Sequence, residues 1–173
     1  MLTSATKLNS SFFWRGVGFI VVFLVSQWSW QALHGSITEY IIIHTLTVKP
    51  AAWLVNLITP HVHAAAIQFS LVAAGGGLNI LNGCEGMDTL LLLCAAFAVV
   101  PLSWTSRGLG LLCGIGVIFV INQARILLLF YAYRTDQTLF DALHSTVTPI
   151  AVVLLVSAYF YVWLFMSRHV QPV

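Results

Sequence analysis

Charged side chains are scarce in this chain. Its 173 residues include seven Lys or Arg and five Asp or Glu, so only 7% of them are charged. Hydrophobic residues make up 60% of the chain, far above the roughly 45–50% apolar content of soluble domains. This scarcity excludes a soluble globular protein and predicts a single-domain integral membrane protein, whose burial comes mainly from long apolar helices.

Clusters of basic residues and of cysteines are also missing. The formal net charge is only +2 and the basic residues are scattered, which excludes a nucleic-acid-binding surface. The three cysteines show no metal-ligand spacing, and at least one thiol must stay unpaired within the chain. They are Cys84, Cys94 and Cys113. We therefore expect no cofactor and no metal.

Four apolar segments are long enough to cross a bilayer, which takes about 20 residues of helix. They are residues 16–33, 87–104, 108–131 and 149–166. Residues 46–60 are moderately apolar but contain Lys49, Pro50, Asn56 and Pro60, which favours an interfacial or re-entrant helix over a further span. The predicted fold is an all-α membrane bundle of about four transmembrane helices with one such additional helix.

Three consecutive glycines separate two short alternating segments upstream of the second span. Apolar and polar residues alternate over residues 67–71 and again from Leu78 to Asn82, and glycines 75–77 can turn the chain between them. This pattern predicts a small β-hairpin on the outer face.

Basic residues predict the orientation because Lys and Arg accumulate on cytoplasmic loops. With both termini inside, the cytoplasmic residues are Lys7, Arg15, Arg107 and Arg168. The outer side then has Lys49, Arg125 and Arg134, together with all five acids, Glu39, Glu85, Asp88, Asp136 and Asp141. We therefore expect a multi-pass protein of the cell (inner) membrane.

Arg125 lies inside the apolar run "GVIFVINQARILLLFYAY", where a charge costs about 2.5–3.5 kcal/mol on insertion scales. At about 1.5 Å per residue it lies roughly 25 Å along its helix from Gly108, near the depth of Cys84. Asn122 precedes it by three residues on the same helical face, so the two can form a polar patch inside the bundle. The alternative is an Arg125 side chain that reaches the outer headgroups.

Cys84 lies in "NGCEGMDTLLLL", just before the second span. A helix N-terminus close to its sulfur would stabilise a thiolate, whereas the negative charges of Glu85 and Asp88 would oppose one. We predict that Asp88 pairs with Arg125 or caps the helix, and that Glu85 faces solvent or the substrate. The alternative for Cys84 is a structural thiol.

His144, in "DALHS", precedes the fourth span on the same side of the membrane. It could be a general base or simply a loop residue. A thiol, a guanidinium and an imidazole from three segments at one depth are the groups that acyl transfer through a thioester requires. A metal site of His61 and His63 with Cys84 or His144 is also conceivable, although no further ligand pattern supports it.

These motifs, in this order, resemble the exosortase/archaeosortase family of integral membrane cysteine transpeptidases over residues 79–168, in its short form. "NGCEGMDTLLLL" is similar to the family's Cys-x-Gly nucleophile motif, and "VINQARILLLF" resembles its Asn-x-x-Arg motif. The resemblance implies that Cys84 is the nucleophile, Arg125 the arginine of the triad and His144 the acid/base. The supporting residues we expect are Asn122, Asp88 and Glu85.

The resemblance also implies substrates, namely exported proteins with a C-terminal sorting signal made of a short motif, one transmembrane helix and a basic tail. Two other functions stay open. One is a non-catalytic membrane assembly protein in which an Arg125–Asp88 pair fastens helices. The other is a transport component that uses Arg125 to bind an anion, although the chain has neither repeated discontinuous helices nor a polar stripe through its inner half.

Overall fold

The computed structural model describes residues 2–80 and 83–169, with side chains from residue 12 to residue 167. The side chains of Lys7 and Arg168, and residue Asn82 of the predicted hairpin, lie outside this description. The helices are α1 (Leu2–Gln31), α2 (Ile37–Tyr40), α3 (Lys49–Ile58), α4 (Met87–Val99), α5 (Trp104–Thr135), α6 (Gln137–Ala142) and α7 (Thr148–His169). The π-helical segments Ile41–Val48 and Leu143–Val147 join α2 to α3 and α6 to α7.

Helices α1, α4, α5 and α7 form an antiparallel bundle. Near the end of α1, Gln27 donates a hydrogen bond to Asp88 at the start of α4, over 2.9 Å. At the start of α7, Thr148 accepts a hydrogen bond from Arg125 of α5, whereas Ser167 at the other end of α7 contacts Ser106. The end of the bundle that holds Asp88, Arg125 and Thr148 is called the Cys84 end below.

Within residues 2–80 and 83–169, four continuous helical stretches are long and apolar enough to cross a membrane, which confirms the predicted all-α membrane fold. They are Phe12–Gln31, Ile37–Ile58, Trp104–Thr135 and Gln137–Ser167. The predicted span 87–104 is not among them, because α4 ends at Val99 after 13 residues. Pro101 follows in an extended segment, and the Ser103 hydroxyl then caps α5 by accepting from the Ser106 N–H.

The Ile37–Ile58 stretch starts and finishes at the Cys84 end of the bundle. Its first turn follows directly from α1, where the Glu39 carboxylate accepts from the Gly35 N–H. Just beyond its last turn, the Thr59 hydroxyl lies 2.8 Å from the Tyr131 hydroxyl, which is beyond Arg125 along α5. The helix begins earlier than the predicted residues 46–60 and is long and apolar enough to span. An interfacial or re-entrant position for it therefore stays a prediction.

A three-stranded antiparallel sheet follows, with strands β1 (Ala65–Ile67), β2 (Ser70–Ala73) and β3 (Gly76–Asn79) in sequence order. The β2–β3 pair is the predicted hairpin. The alternating residues 67–71 are not one strand, however, because Gln68 adopts a positive φ of 50° and starts a tight turn between β1 and β2. Arg134 of α5 donates to the Ala74 carbonyl over 2.7 Å, which holds the sheet at the Cys84 end.

The sheet and the Ile37–Ile58 helix cover the half of α5 that lies at the Cys84 end. The core there contains Ile43, Val48, Val55, Leu71, Ile80, Ile126, Leu129 and Phe130. A second core toward the opposite end contains Leu93, Phe97, Ile118 and Val156. Because Ile80 is 1% exposed and belongs to the first core, the chain entering the Cys84 loop is fixed against α5.

Candidate active site

Cys84 lies in the short loop Gly83–Gly86 that leads into α4. Both glycines have positive φ, 94° and 88°, a conformation that side chains disfavour. A Cβ on Gly86 would lie 3.2 Å from the Asn122 side chain, so the loop and α5 approach closely here. The glycine of the Cys-x-Gly motif thus allows the positive φ of the turn and also leaves room for the close contact between the loop and Asn122.

The three predicted catalytic residues meet at this loop. The Sγ atom of Cys84 lies 3.6 Å from Nε2 of His144 and 3.7 Å from Nη2 of Arg125. All three side chains line one small cleft with residues at the end of β3, directly after it and on α5, which are Leu78, Asn79, Ile80, Ile126 and Leu129. Segments separated by about 40 and 60 residues therefore place a thiol, an imidazole and a guanidinium within contact of one another.

Arg125 is held by hydrogen bonds from all three of its nitrogen atoms. Besides Nη2, Nη1 donates to the Gly83 carbonyl over 3.3 Å and Nε donates to the Thr148 hydroxyl over 3.1 Å. The guanidinium is therefore turned toward Cys84 and the start of α7. Sequence analysis missed Thr148, which is 4% exposed. Its position one helical turn after His144, directly before Pro149, is the only signal.

His144 is exposed, and its ring is positioned by stacking. The ring lies parallel to that of Phe140, four residues earlier, with centroids 5.4 Å apart and an interplanar angle of 18°. Phe140 in turn packs edge-on against Tyr133 of α5. Phe140 is a second residue that sequence analysis missed, because its i, i+4 spacing to His144 is typical of any amphipathic helix.

The predicted roles of the two acids are wrong. The Asp88 carboxylate neither pairs with Arg125 nor caps α4 but accepts a hydrogen bond from Gln27 of α1. Glu85, expected to face solvent or the substrate, is 7% exposed and accepts from the Trp30 indole over 3.2 Å. The helix-fastening Arg125–Asp88 pair of the assembly-protein hypothesis is likewise absent between these two described residues.

Electrostatics favour a neutral thiol in the resting site. Burial raises the pKa of the Cys84 thiol, the Arg125 guanidinium lowers it, and the charges of Glu85 and Asp88 raise it again, leaving it above its ordinary value. A base is then required to generate the thiolate, and the His144 imidazole is in contact with the sulfur. Burial also raises the pKa of Glu85, against the opposing effect of the Trp30 hydrogen bond.

Asn122 of α5 lies against the loop that holds Cys84. It is 4% exposed, packs against Gly86, and its Oδ1 atom has no hydrogen-bond partner among the described residues. Within residues 2–80 and 83–169, no three His, Cys, Asp or Glu side chains are grouped as metal ligands. The histidine metal site that includes His61 and His63 is therefore not formed by the described residues.

Comparison with known proteins places the chain in a family. The family model for transmembrane exosortases matches residues 10–162, a range that holds Cys84, Arg125 and His144. Neither the curated proteins nor the solved structures include a match. Together with the apolar helices, the family match indicates a multi-pass membrane protein. A match over this much of the chain shows that it belongs to the transmembrane exosortase family.

Proposed function

We propose that this protein is a membrane-embedded cysteine transpeptidase or protease that cleaves the C-terminal sorting signals of exported proteins. The observation that carries the proposal is the contact of Cys84 Sγ with both His144 and Arg125. A nucleophile, a base and a cationic hydrogen-bond donor around one cleft are what attack on a peptide carbonyl requires. Family membership supports the same class of reaction.

In the proposed reaction, His144 takes the proton from the Cys84 thiol, and the thiolate attacks the carbonyl carbon of the scissile peptide bond. The carbonyl electron pair moves to oxygen, and Arg125 stabilises the resulting oxyanion. When the tetrahedral intermediate collapses, the C–N bond breaks and His144 protonates the leaving amine. Water or an amine then attacks the thioester, releases the product and returns the proton to sulfur.

The site is proposed to face the outer side of the cell membrane. Arg107, a basic residue expected on the cytoplasmic side, lies near the start of α5, far from the Cys84 end, and supports this orientation. A substrate anchored by one transmembrane helix would then present its motif at the depth of Cys84.

The test is processing of an epitope-tagged exported reporter that ends in a short motif, an apolar helix and a basic tail. A suitable reporter is found in the native strain. Proteomics compares cells that make the parent protein with cells that make the Cys84→Ala protein, and an exported protein that keeps its C-terminal segment only in the latter is chosen as the reporter. We expect Cys84→Ala, Arg125→Ala and His144→Ala each to abolish processing. Cys113→Ala, at an exposed cysteine of α5, is the matched control and should process normally. Normal cleavage by the Cys84→Ala protein would refute the proposal.

A further inference from the structure

A groove between α5 and α7 opens on the side of the bundle and reaches the candidate active site. Its walls are Val120, Ala124 and Leu128 on α5 and Ala151, Val152 and Leu155 on α7. Apart from Arg125 and Thr148, every lining side chain is apolar. Arg125 also lines the Cys84 cleft, so the groove and the cleft share one wall.

The groove runs from the Cys84 end toward the opposite end of the bundle, which is the direction that a substrate helix would take if it followed the cleaved peptide bond. From Thr148 at the Cys84 end, the lining continues to Leu155, seven residues or about 10 Å further along α7 toward the opposite end. At its Cys84 end the groove is bounded by Arg125, whose guanidinium lies 3.7 Å from Cys84 Sγ, so a chain that leaves the groove here is close to the thiol.

We infer that this groove binds the transmembrane helix of the sorting signal, an inference that rests on the proposed function. Ala124 and Ala151 line opposite walls, and small side chains let the backbone of a neighbouring helix approach closely in a membrane. Seated there, the helix places the peptide bond that precedes it beside the Cys84 thiol.

Two other openings among the described residues do not offer this path. One lies between α1 and α4, lined by residues that include Val25, Trp30 and Leu91, and Cys84, Arg125 and His144 are not in its lining. Its Trp30 is hydrogen-bonded to the buried Glu85. Another opening, lined by Ser106, Trp163 and Ser167, lies at the opposite end of the bundle.

Blocking the groove tests the inference. We expect Ala124→Trp and Ala151→Trp to slow processing of the anchored reporter by about tenfold or more. Alkylation of Cys84 by iodoacetamide, measured with Cys94 and Cys113 replaced by Ala, should stay unchanged and show that the site itself is intact. Ala98→Trp, at an exposed alanine of α4, is the matched control and should process the reporter at the normal rate.

Photo-crosslinking gives a second, direct readout. A benzophenone amino acid is placed at Leu155 in the groove or at Val25 in the α1–α4 opening, which are 53% and 57% exposed, in Cys84→Ala protein that retains the uncleaved reporter. Crosslinking from Leu155 and not from Val25 is expected. Crosslinks from Val25 alone, crosslinks from Leu155 to lipid alone, or normal processing by both Trp variants would overturn the groove assignment. Cleavage by the Cys84→Ala protein itself would instead refute the proposed function.

Discussion

Among single residues, Thr148 links two parts of the site. It begins the helix that follows His144, and its buried hydroxyl accepts from Arg125 Nε. A charged donor left without a partner in a buried position is costly, so the guanidinium would turn elsewhere if this acceptor were removed. The contact between Arg125 Nη2 and the thiol depends on that orientation.

We expect Thr148→Val to reduce kcat by about ten- to a hundredfold, with a smaller effect on KM, because the lost interaction serves the transition state. The guanidinium lowers the pKa of Cys84, so its displacement should also shift the pH profile of Cys84 alkylation to higher pH. Thr148→Ser keeps the hydroxyl and should restore both properties. A Thr148→Val protein with a normal alkylation profile would contradict the positioning role.

Glu85 allows a prediction about stability and pH. Burial raises the pKa of this carboxyl in the folded protein, so folding favours the protonated form, and its contribution to stability falls as pH rises through the raised pKa. Glu85→Gln keeps an acceptor for Trp30 and cannot ionise. Its Tm in detergent micelles should therefore exceed that of the parent by a margin that grows with pH. Equal Tm differences at acidic and neutral pH would show that Glu85 does not titrate this way.

Among the helices and strands, the sequence predicts most of what is observed, because apolar runs and glycine turns are local signals. Hydropathy identified the main helices, and the motifs around Cys84, Arg125 and His144 identified residues that the fold brings together. The turn at Gln68 escaped prediction, since its residues match a strand pattern and only the positive φ distinguishes it. Local patterns therefore predicted the elements better than their exact ends.

The partners of the two acids could not be predicted from local sequence. Helix periodicity shows which residues share a face, but it does not show which neighbouring helix lies opposite. Asp88 and Glu85 find their partners in Gln27 and Trp30, respectively, 61 and 55 residues away on α1. Thr148 was missed for the same reason, because its role depends on how α7 packs against α5.

Close packing of α5 against its neighbours depends on Gly110. A Cβ there would lie 2.6 Å from both Phe97 Cζ and Trp163 Nε1, and these rings have little freedom to move. We expect Gly110→Ala to lower the free energy of unfolding by about 1–3 kcal/mol through overpacking. Gly116→Ala, where a Cβ meets nothing within 4 Å, is the matched control on the same helix. Thermal unfolding in micelles compares the two, and equal Tm values would contradict the expectation.

For the whole molecule, the proposed orientation places the Cys84 end outside the cell. Cys84 is half-buried beside the exposed His144, so a charged maleimide that cannot cross membranes should reach it in intact cells. Replacing Cys94 and Cys113 by Ala makes the labelling specific. Labelling that appears only after the membrane is permeabilised would show that the Cys84 end faces the cytoplasm.

The distribution of the site along the chain has a consequence for biosynthesis. The ribosome makes Cys84 first, Arg125 about 40 residues later, and His144 and Thr148 last. A nascent chain that has inserted its earlier helices thus carries the thiol without its base or the hydroxyl that holds the guanidinium. Under the proposed function, the catalytic groups come together only when α7 docks on α5, so a chain that does not yet include α7 should not cleave its neighbours during membrane insertion.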